Sequence, residues 1–181
     1  QLTIILCLIF SLTLASCQKT NSHKTKLNIH YKNLDPQNIE IKNYANALFS
    51  IDTSNFAEGL KSIQEEYPIF LDGNLDDPNA VDFLKSFATD TFCIRLNDMA
   101  KNKFIDTKKL NKEIKSACQH FKYYYPKINI PNTVYLYISG IDYEMPAIML
   151  HNNGIVISMD FYLDNEDGIY DYVGMPRFRS L

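Results

Sequence analysis

The chain has 181 residues, of which 46% are hydrophobic and 22% are charged, and its formal net charge is −3 at pH 7. This length and apolar content suit a single domain that builds its own core. The negative charge gives no indication of nucleic-acid binding, which is typical of strongly basic domains.

The N-terminus has the pattern of an exported protein. Residues 2–14 are almost wholly apolar and too few to cross a bilayer comfortably, which predicts the hydrophobic part of a signal peptide. A lipobox follows, formed by Leu14, Ala15, Ser16 and Cys17. We expect residues 1–16 to be a lipoprotein signal peptide and Cys17 to receive the lipid. The alternative is an ordinary secretory signal that happens to precede a cysteine.

The residues on either side of this motif add three expectations. The chain opens inside the apolar stretch without methionine or basic residues, so we expect its start to be missing. Residues 17–27 are nearly all polar and predict a disordered tether. Gln18, where an Asp would signal retention in the inner membrane, favours the outer membrane and its periplasmic face. Residues 28–181 are assigned to one domain.

The first elements of that domain are a strand over residues 38–42 and a helical stretch around residues 44–49. Asn55 and Glu58 have the spacing of a capping box, which predicts a helix that Pro68 ends.

Two further helices are predicted. Asp77 followed by Pro78 is typical of a helix start, and the pattern extends to about Lys101 as one long helix. The next helix begins near Asp106 and ends before Pro126. Its predicted apolar stripe contains Leu110, Ile114, Ala117, Cys118 and Phe121.

Beyond Pro126 the apolar residues alternate, with Val134, Leu136 and Ile138 predicting a half-buried strand that Gly140 closes. Residues 147–150 and 155–160 form two apolar runs joined by residues 151–154, whose Asn-Gly pair predicts a tight hairpin. The predicted fold is therefore α+β, with N-terminal helices followed by a small antiparallel sheet that contains a hairpin.

The two remaining cysteines and the histidines show no pattern typical of a site. Cys93 and Cys118 either pair as a disulfide or are two separate buried thiols. No two histidines have the spacing of a zinc-protease helix, so none is assigned to a metal. They are His23, His30, His120 and His151.

Two carboxylates lie where clefts often form: Asp52 before a helix, where capping is the expected role, and Asp160 at a strand end. Residues 164–168 resemble the start of a calcium loop, but the position of its closing Glu is occupied by Met175. Residues 121–126 are either an exposed aromatic surface or, as we expect, packing for the helix end. We predict no catalytic residue, no cofactor and no metal.

Five short stretches, in this order after the lipobox, resemble one known family. They are residues 49–53 (FSIDT), 67–70 (YPIF), 121–126 (FKYYYP), 137–140 (YISG) and 159–163 (MDFYL). Together they resemble the gliding motility lipoprotein GldB family of Bacteroidetes, most strongly over residues 121–176.

The resemblance implies a lipoprotein of the cell envelope with no established catalytic residues. It also extends distantly to zincin-like peptidase domains, in which a sheet precedes a helix that carries metal ligands. The chain stops at Leu181, before such a helix would occur, so we expect it to be incomplete at the C-terminus.

Two hypotheses follow. The preferred one is a non-enzymatic envelope lipoprotein that contacts the membrane through Cys17 and binds proteins of a motility or envelope machinery. The alternative is a zincin-like peptidase anchored to the membrane.

Overall fold

A computed structural model of the chain describes residues 38–151, 154–165 and 168–175. The signal peptide, the lipobox with Cys17, and the tether predicted at residues 17–27 lie outside the described residues. The described ranges contain six α-helices and a four-stranded sheet, which confirms the α+β class.

The helices are α1 Tyr44–Phe49, α2 Phe56–Gln64, α3 Pro78–Thr89, α4 Thr91–Lys103, α5 Thr107–Tyr124 and α6 Ile169–Tyr172. The strands are β1 Glu40–Asn43, β2 Thr133–Tyr137, β3 Ile148–His151 and β4 Gly154–Ser158. Two 3-10 turns, Thr53–Asn55 and Met159–Tyr162, precede α2 and follow β4.

Two helices start where the sequence predicted, and an aspartate caps each of them. The side chain of Asp77 accepts a hydrogen bond of 3.0 Å from the backbone N–H of Asn79 at the start of α3. The side chain of Asp106 accepts a hydrogen bond from the backbone N–H of Lys108 at the start of α5, also at 3.0 Å. In both places a short carboxylate satisfies a backbone donor that the first helical turn leaves without a partner.

The prediction of one long helix from Asp77 to Lys101 was wrong, because the chain breaks at Asp90 between α3 and α4. Asp90 has an extended backbone, with ψ of 128°, and its side chain accepts a hydrogen bond of 2.9 Å from the N–H of Cys93. Asp competes for backbone donors in this way and favours caps over helix interiors.

The capping box at Asn55 and Glu58 was also wrong. Asn55 makes no side-chain capping bond at the start of α2. Instead, Asp52 caps the preceding 3-10 turn by accepting a hydrogen bond of 2.9 Å from the N–H of Ser54. This confirms the capping role expected for Asp52, whose side chain is exposed.

The sheet has the strand order β1, β2, β4, β3. The β3–β4 hairpin is antiparallel as predicted, and His151 pairs with Gly154, so Gly154 belongs to the strand and residues 152–153 connect the two. The other two pairs, β1 with β2 and β2 with β4, are parallel. The sheet is therefore mixed rather than antiparallel. The helices between β1 and β2 return the chain to the end where β1 began, and the antiparallel strand β3 does so between β2 and β4.

Strand β2 is buried on both faces, whereas the alternation predicted a half-buried strand. Val134 is 0% exposed and Leu136 is 1% exposed on one face, and Tyr135 is 9% exposed on the other. Each face packs on its own apolar cluster. The first cluster includes Leu96, Ala100 and Cys118, and the second includes Leu48, Phe56, Leu60 and Leu71. A central strand covered on both sides follows the rule for parallel sheets.

The close contact between α2 and the loop before it gives a first test. A Cβ added at Gly59 would lie 2.2 Å from Cγ2 of Ile51. Gly59→Ala should therefore destabilise the protein by about 1–3 kcal/mol in urea unfolding, although alanine is the better helix former.

Gly73→Ala is the matched control, because an added Cβ there meets nothing within 4 Å. We expect its free energy of unfolding to change by less than about 1 kcal/mol. A Gly59→Ala protein as stable as the parent would contradict this packing, and Ile51→Ala in the same chain should recover part of the loss.

Candidate functional site

Asp160 is the fully buried charged side chain of the described part of the chain, with an exposure of 0%. It lies in the 3-10 turn Met159–Tyr162 directly after β4. The sequence drew attention to this residue because strand ends often line clefts. The structure instead encloses its carboxylate between the ends of two parallel strands, β2 and β4.

Both carboxylate oxygens of Asp160 accept several hydrogen bonds. Oδ1 accepts from Oγ of Ser158 at 2.5 Å and from the N–H of Ser139 at 3.2 Å. Oδ2 accepts from the N–H and Oγ of Ser139 at 3.0 and 2.9 Å, and from the N–H of Ile141 at 2.7 Å. These donors occupy about all the lone pairs that a carboxylate offers, which offsets the cost of burying its charge.

The bonds to Asp160 hold a tight turn in left-handed backbone. Gly140 has φ of +78° and Ile141 has φ of +59°. This conformation suits glycine but is rare for a β-branched residue, where it costs about 1–2 kcal/mol. Asp160 accepts from the N–H groups on both sides of Gly140, so it stabilises the turn that closes β2.

Tyr170 connects the C-terminal helix α6 to the same place. Its hydroxyl lies 2.6 Å from the carbonyl oxygen of Leu163 and 3.0 Å from that of Asp160, and the ring is 1% exposed. The N–H of Tyr170 donates to Oδ1 of Asn165 at 3.1 Å. Asn165 belongs to the stretch that resembled a calcium loop, and here it satisfies a backbone donor at the helix start.

The thiol nearest this cluster is held in its neutral form. Burial raises the pKa of Cys93 to about 12, and the charges of Asp90 and Asp160 add to the increase. Burial also raises the pKa of Cys118. Both thiols are free and buried, so they are two separate thiols and not a disulfide. A protonated, enclosed thiol is a poor nucleophile near neutral pH.

The two histidines of the described ranges lie on different elements. His120 lies on α5 with Nδ1 2.7 Å from the carbonyl oxygen of Ser116. His151 ends β3 and shares the lining of a cavity of about 430 Å³ with Asp72 and Thr133. His23 and His30 lie outside the described residues. Within the described ranges, no three His, Cys, Asp or Glu side chains are grouped as a metal site requires.

The donors around Asp160 were not predicted, although the sequence contained a signal for them. Ser139 lies in the YISG stretch and Asp160 in the MDFYL stretch, two of the five that resemble the GldB family. The carboxylate joins these two stretches across 21 residues. The sequence pattern indicated Asp160 but not its hydrogen-bond donors, since nothing in the local pattern pairs Ser139 with Asp160.

Comparison with known families decides the membership of the chain. A family model described as gliding motility protein GldB matches residues 24–180. The chain belongs to the GldB family. Its members are gliding-motility proteins of the cell envelope. The match includes every residue that the structure describes. Searches of curated proteins and of solved structures returned no match. No helix within the described ranges is long and apolar enough to cross a membrane.

The hydrogen bonds of Asp160 predict a large effect of a small change. In Asp160→Asn the amide NH₂ faces donors instead of accepting from them, so we expect a loss of about 2–3 kcal/mol in urea unfolding. Asp164→Asn removes an exposed carboxylate that pairs with Lys103 at 2.6 Å. Such pairs contribute about 1 kcal/mol or less, which makes this variant the control. Equal losses in the two variants would contradict a structural role for Asp160.

The buried thiol and phenols predict a loss of stability in alkali. Burial raises the pKa of Tyr67 and of Tyr170 to about 12, as it does for Cys93. In the unfolded chain the pKa values of these groups lie nearer their ordinary values of 9.0 for Cys and 10.0 for Tyr. The unfolded state therefore releases protons first, and stability falls as the pH rises from about 9 towards 12.

Urea unfolding at a series of pH values measures this effect. The unfolding midpoint should be steady between neutral pH and about pH 8.5 and should fall above it. A midpoint that stays constant up to pH 11 would show that these groups are not buried in the native protein.

Proposed function

We propose that this GldB family member is a non-enzymatic lipoprotein, anchored by a lipid on Cys17 in the outer membrane and facing the periplasm. It would serve as a binding component of the gliding-motility or envelope-assembly machinery. The observation that carries the proposal is the position of the family match. It begins at residue 24, a few residues after the lipobox cysteine, so the anchor motif directly precedes the family domain.

The geometry around Asp160 supports a structural role for this carboxylate. A general base needs a free lone pair within reach of a substrate. The Asp160 carboxylate is enclosed, and its oxygens accept from Ser139, Ile141 and Ser158. The cluster holds the ends of β2 and β4 together, and a rigid sheet of this kind is a suitable support for partner-binding surfaces.

The anchor has a direct test with a matched control. Cells that express the full-length gene are labelled with a palmitate analogue, and the labelled protein is detected after purification. Cys17→Ala should abolish the label and leave an uncleaved precursor, because the thiol that accepts the diacylglyceryl group is gone. Cys7→Ala changes a cysteine within the apolar stretch and should keep the label. Unchanged labelling of Cys17→Ala would refute the anchor.

The role in motility is tested by complementation. In a gliding strain that lacks the gene, the wild-type gene should restore colony spreading, and Cys17→Ala should restore it poorly because the protein is no longer held at the membrane. If the gene deletion leaves gliding and envelope integrity unchanged, the proposal fails. Peptidase activity that a chelator abolishes in the purified protein would favour the zincin-like alternative instead.

A further inference from the structure

Charge is distributed very unevenly along the domain. Residues 101–127 contain eight lysines and two acidic residues, whereas residues 128–175 contain seven acidic residues and neither lysine nor arginine. The basic segment is mainly helix α5, and the acidic segment contains strands β2, β3 and β4. Clustered lysines of this kind can attract an anionic surface even though the whole chain carries a net negative charge.

The lysines of α5 share one side of the helix, which we call the basic face. It consists of Lys108, Lys109, Lys112 and Lys115. At 100° per residue these four positions lie within about one third of the helix circumference, and Tyr123 falls in the same sector. The opposite side carries Cys118, which is buried in the core.

The ammonium groups of the basic face are available for binding. Lys108, Lys109 and Lys112 are exposed and Lys115 is half-buried. Within the described ranges, the ion pairs involve other lysines, namely Lys61, Lys101 and Lys103. The basic face therefore presents a row of lysines that no described carboxylate neutralises.

The C-terminal end of α5 continues into a group of aromatic side chains, which we call the aromatic end. Phe121, Tyr123, Tyr124 and Tyr125 are 45%, 48%, 55% and 58% exposed. The prediction that this stretch packs the helix end was wrong, because these four side chains are exposed. The rings contact each other, with centroids 5.2 Å apart for Tyr123 and Tyr124 and 4.9 Å apart for Phe121 and Tyr125.

Tyrosines beside lysines are suited to the boundary between lipid and water. The tyrosine ring has an apolar body and a polar tip, and tyrosine is enriched at the headgroup level of membranes. Lys127 follows the aromatic end directly, beside Tyr125 and Pro126 in the lining of a shallow cavity of about 540 Å³. Binding to an acidic protein would explain the lysines but not the several half-exposed tyrosines beside them.

The chain enters the domain beside the basic face. Nδ2 of Asn111, on α5 between Lys108 and Lys115, donates a hydrogen bond of 3.2 Å to the carbonyl oxygen of Ile39. Ile39 is 22 residues after Cys17 in the sequence. A chain of that length can extend to about 70–80 Å at most, so a lipid on Cys17 would keep α5 close to the membrane. A weak attraction between α5 and the bilayer is then sufficient for binding, because the anchor gives the bilayer surface a high effective concentration.

We propose that the basic face and the aromatic end of α5 form a docking surface for an anionic phospholipid bilayer. The lysines contact lipid phosphates, and the tyrosines of the aromatic end lie at the headgroup level. The inference rests on the proposed function for the anchor at Cys17, which brings the surface to the bilayer. The interaction itself belongs to the folded domain and does not need the lipid.

The test uses protein without its lipid. The full-length gene product, lacking residues 1–16 and carrying Cys17→Ser, is sedimented with vesicles of phosphatidylcholine or of phosphatidylcholine and phosphatidylglycerol in equal parts. We expect binding to the anionic vesicles that weakens as salt is added, and much weaker binding to neutral ones.

Two double variants examine the surface. Lys109→Glu with Lys112→Glu should weaken binding to anionic vesicles by at least about tenfold. Tyr123→Ser with Tyr124→Ser should weaken it several-fold and leave its salt dependence in place. The control for the lysines is Lys61→Glu with Lys85→Glu, on α2 and α3 outside the basic segment. The control for the tyrosines is Phe83→Ser with Tyr172→Ser, two residues that are 73% and 79% exposed. Both controls should bind like the parent, and urea unfolding confirms that each variant is folded.

Three results would overturn the proposal: no binding of the parent to anionic vesicles, equal weakening in the control variants, or parent-like binding by the lysine variant. If the parent protein does not bind anionic vesicles but Lys109→Glu with Lys112→Glu fails to restore colony spreading, the basic face binds an acidic protein instead. Failure of the anchor is a separate result, because loss of acylation at Cys17 leaves the binding of the unacylated protein unchanged.

Discussion

The buried carboxylate of Asp160 is the interaction on which the ends of the sheet depend. It accepts hydrogen bonds from Ser158 at the end of β4 and from Ser139 and Ile141 after β2. These bonds fix the ends of the two parallel strands relative to each other. The hydroxyl of Tyr170 adds α6 through the carbonyl oxygen of Asp160. A buried anion with this many donors has essentially one geometry that satisfies it, which explains why an unfavourable backbone at Ile141 persists.

The sheet held in this way separates two apolar clusters and orders the rest of the domain. Tyr135 faces the cluster built from α1, α2 and the segment after it, while Val134 and Leu136 face the cluster that includes residues of α4 and α5. Helix α5 thus has a dual character. One side contributes Cys118 to the core, and the other presents the basic face to solvent. Its surface charge has no role in packing, so that side can serve binding without loss of stability.

The GldB family match and the structure give different information about the same residues. The match covers residues 24–180 and assigns the chain to gliding-motility proteins of the cell envelope. The structure connects two of the five stretches that resemble the family, since YISG and MDFYL meet at Asp160. A third stretch, FKYYYP, forms the aromatic end of α5, which belongs to the surface proposed to bind the membrane.

The sequence by itself determined the features whose cause is local. The helix starts at Asp77 and Asp106, the hairpin strands β3 and β4, and the α+β class depend on neighbours within a few residues, which a pattern records directly. Only the tertiary structure decided that β2 is central and parallel to both neighbours, that Asp160 is enclosed, and that the aromatic end is exposed. These outcomes depend on contacts such as Ser139 with Asp160 and Asn111 with Ile39, which join residues 21 and 72 positions apart. Packing selects such partners from many that the sequence would allow.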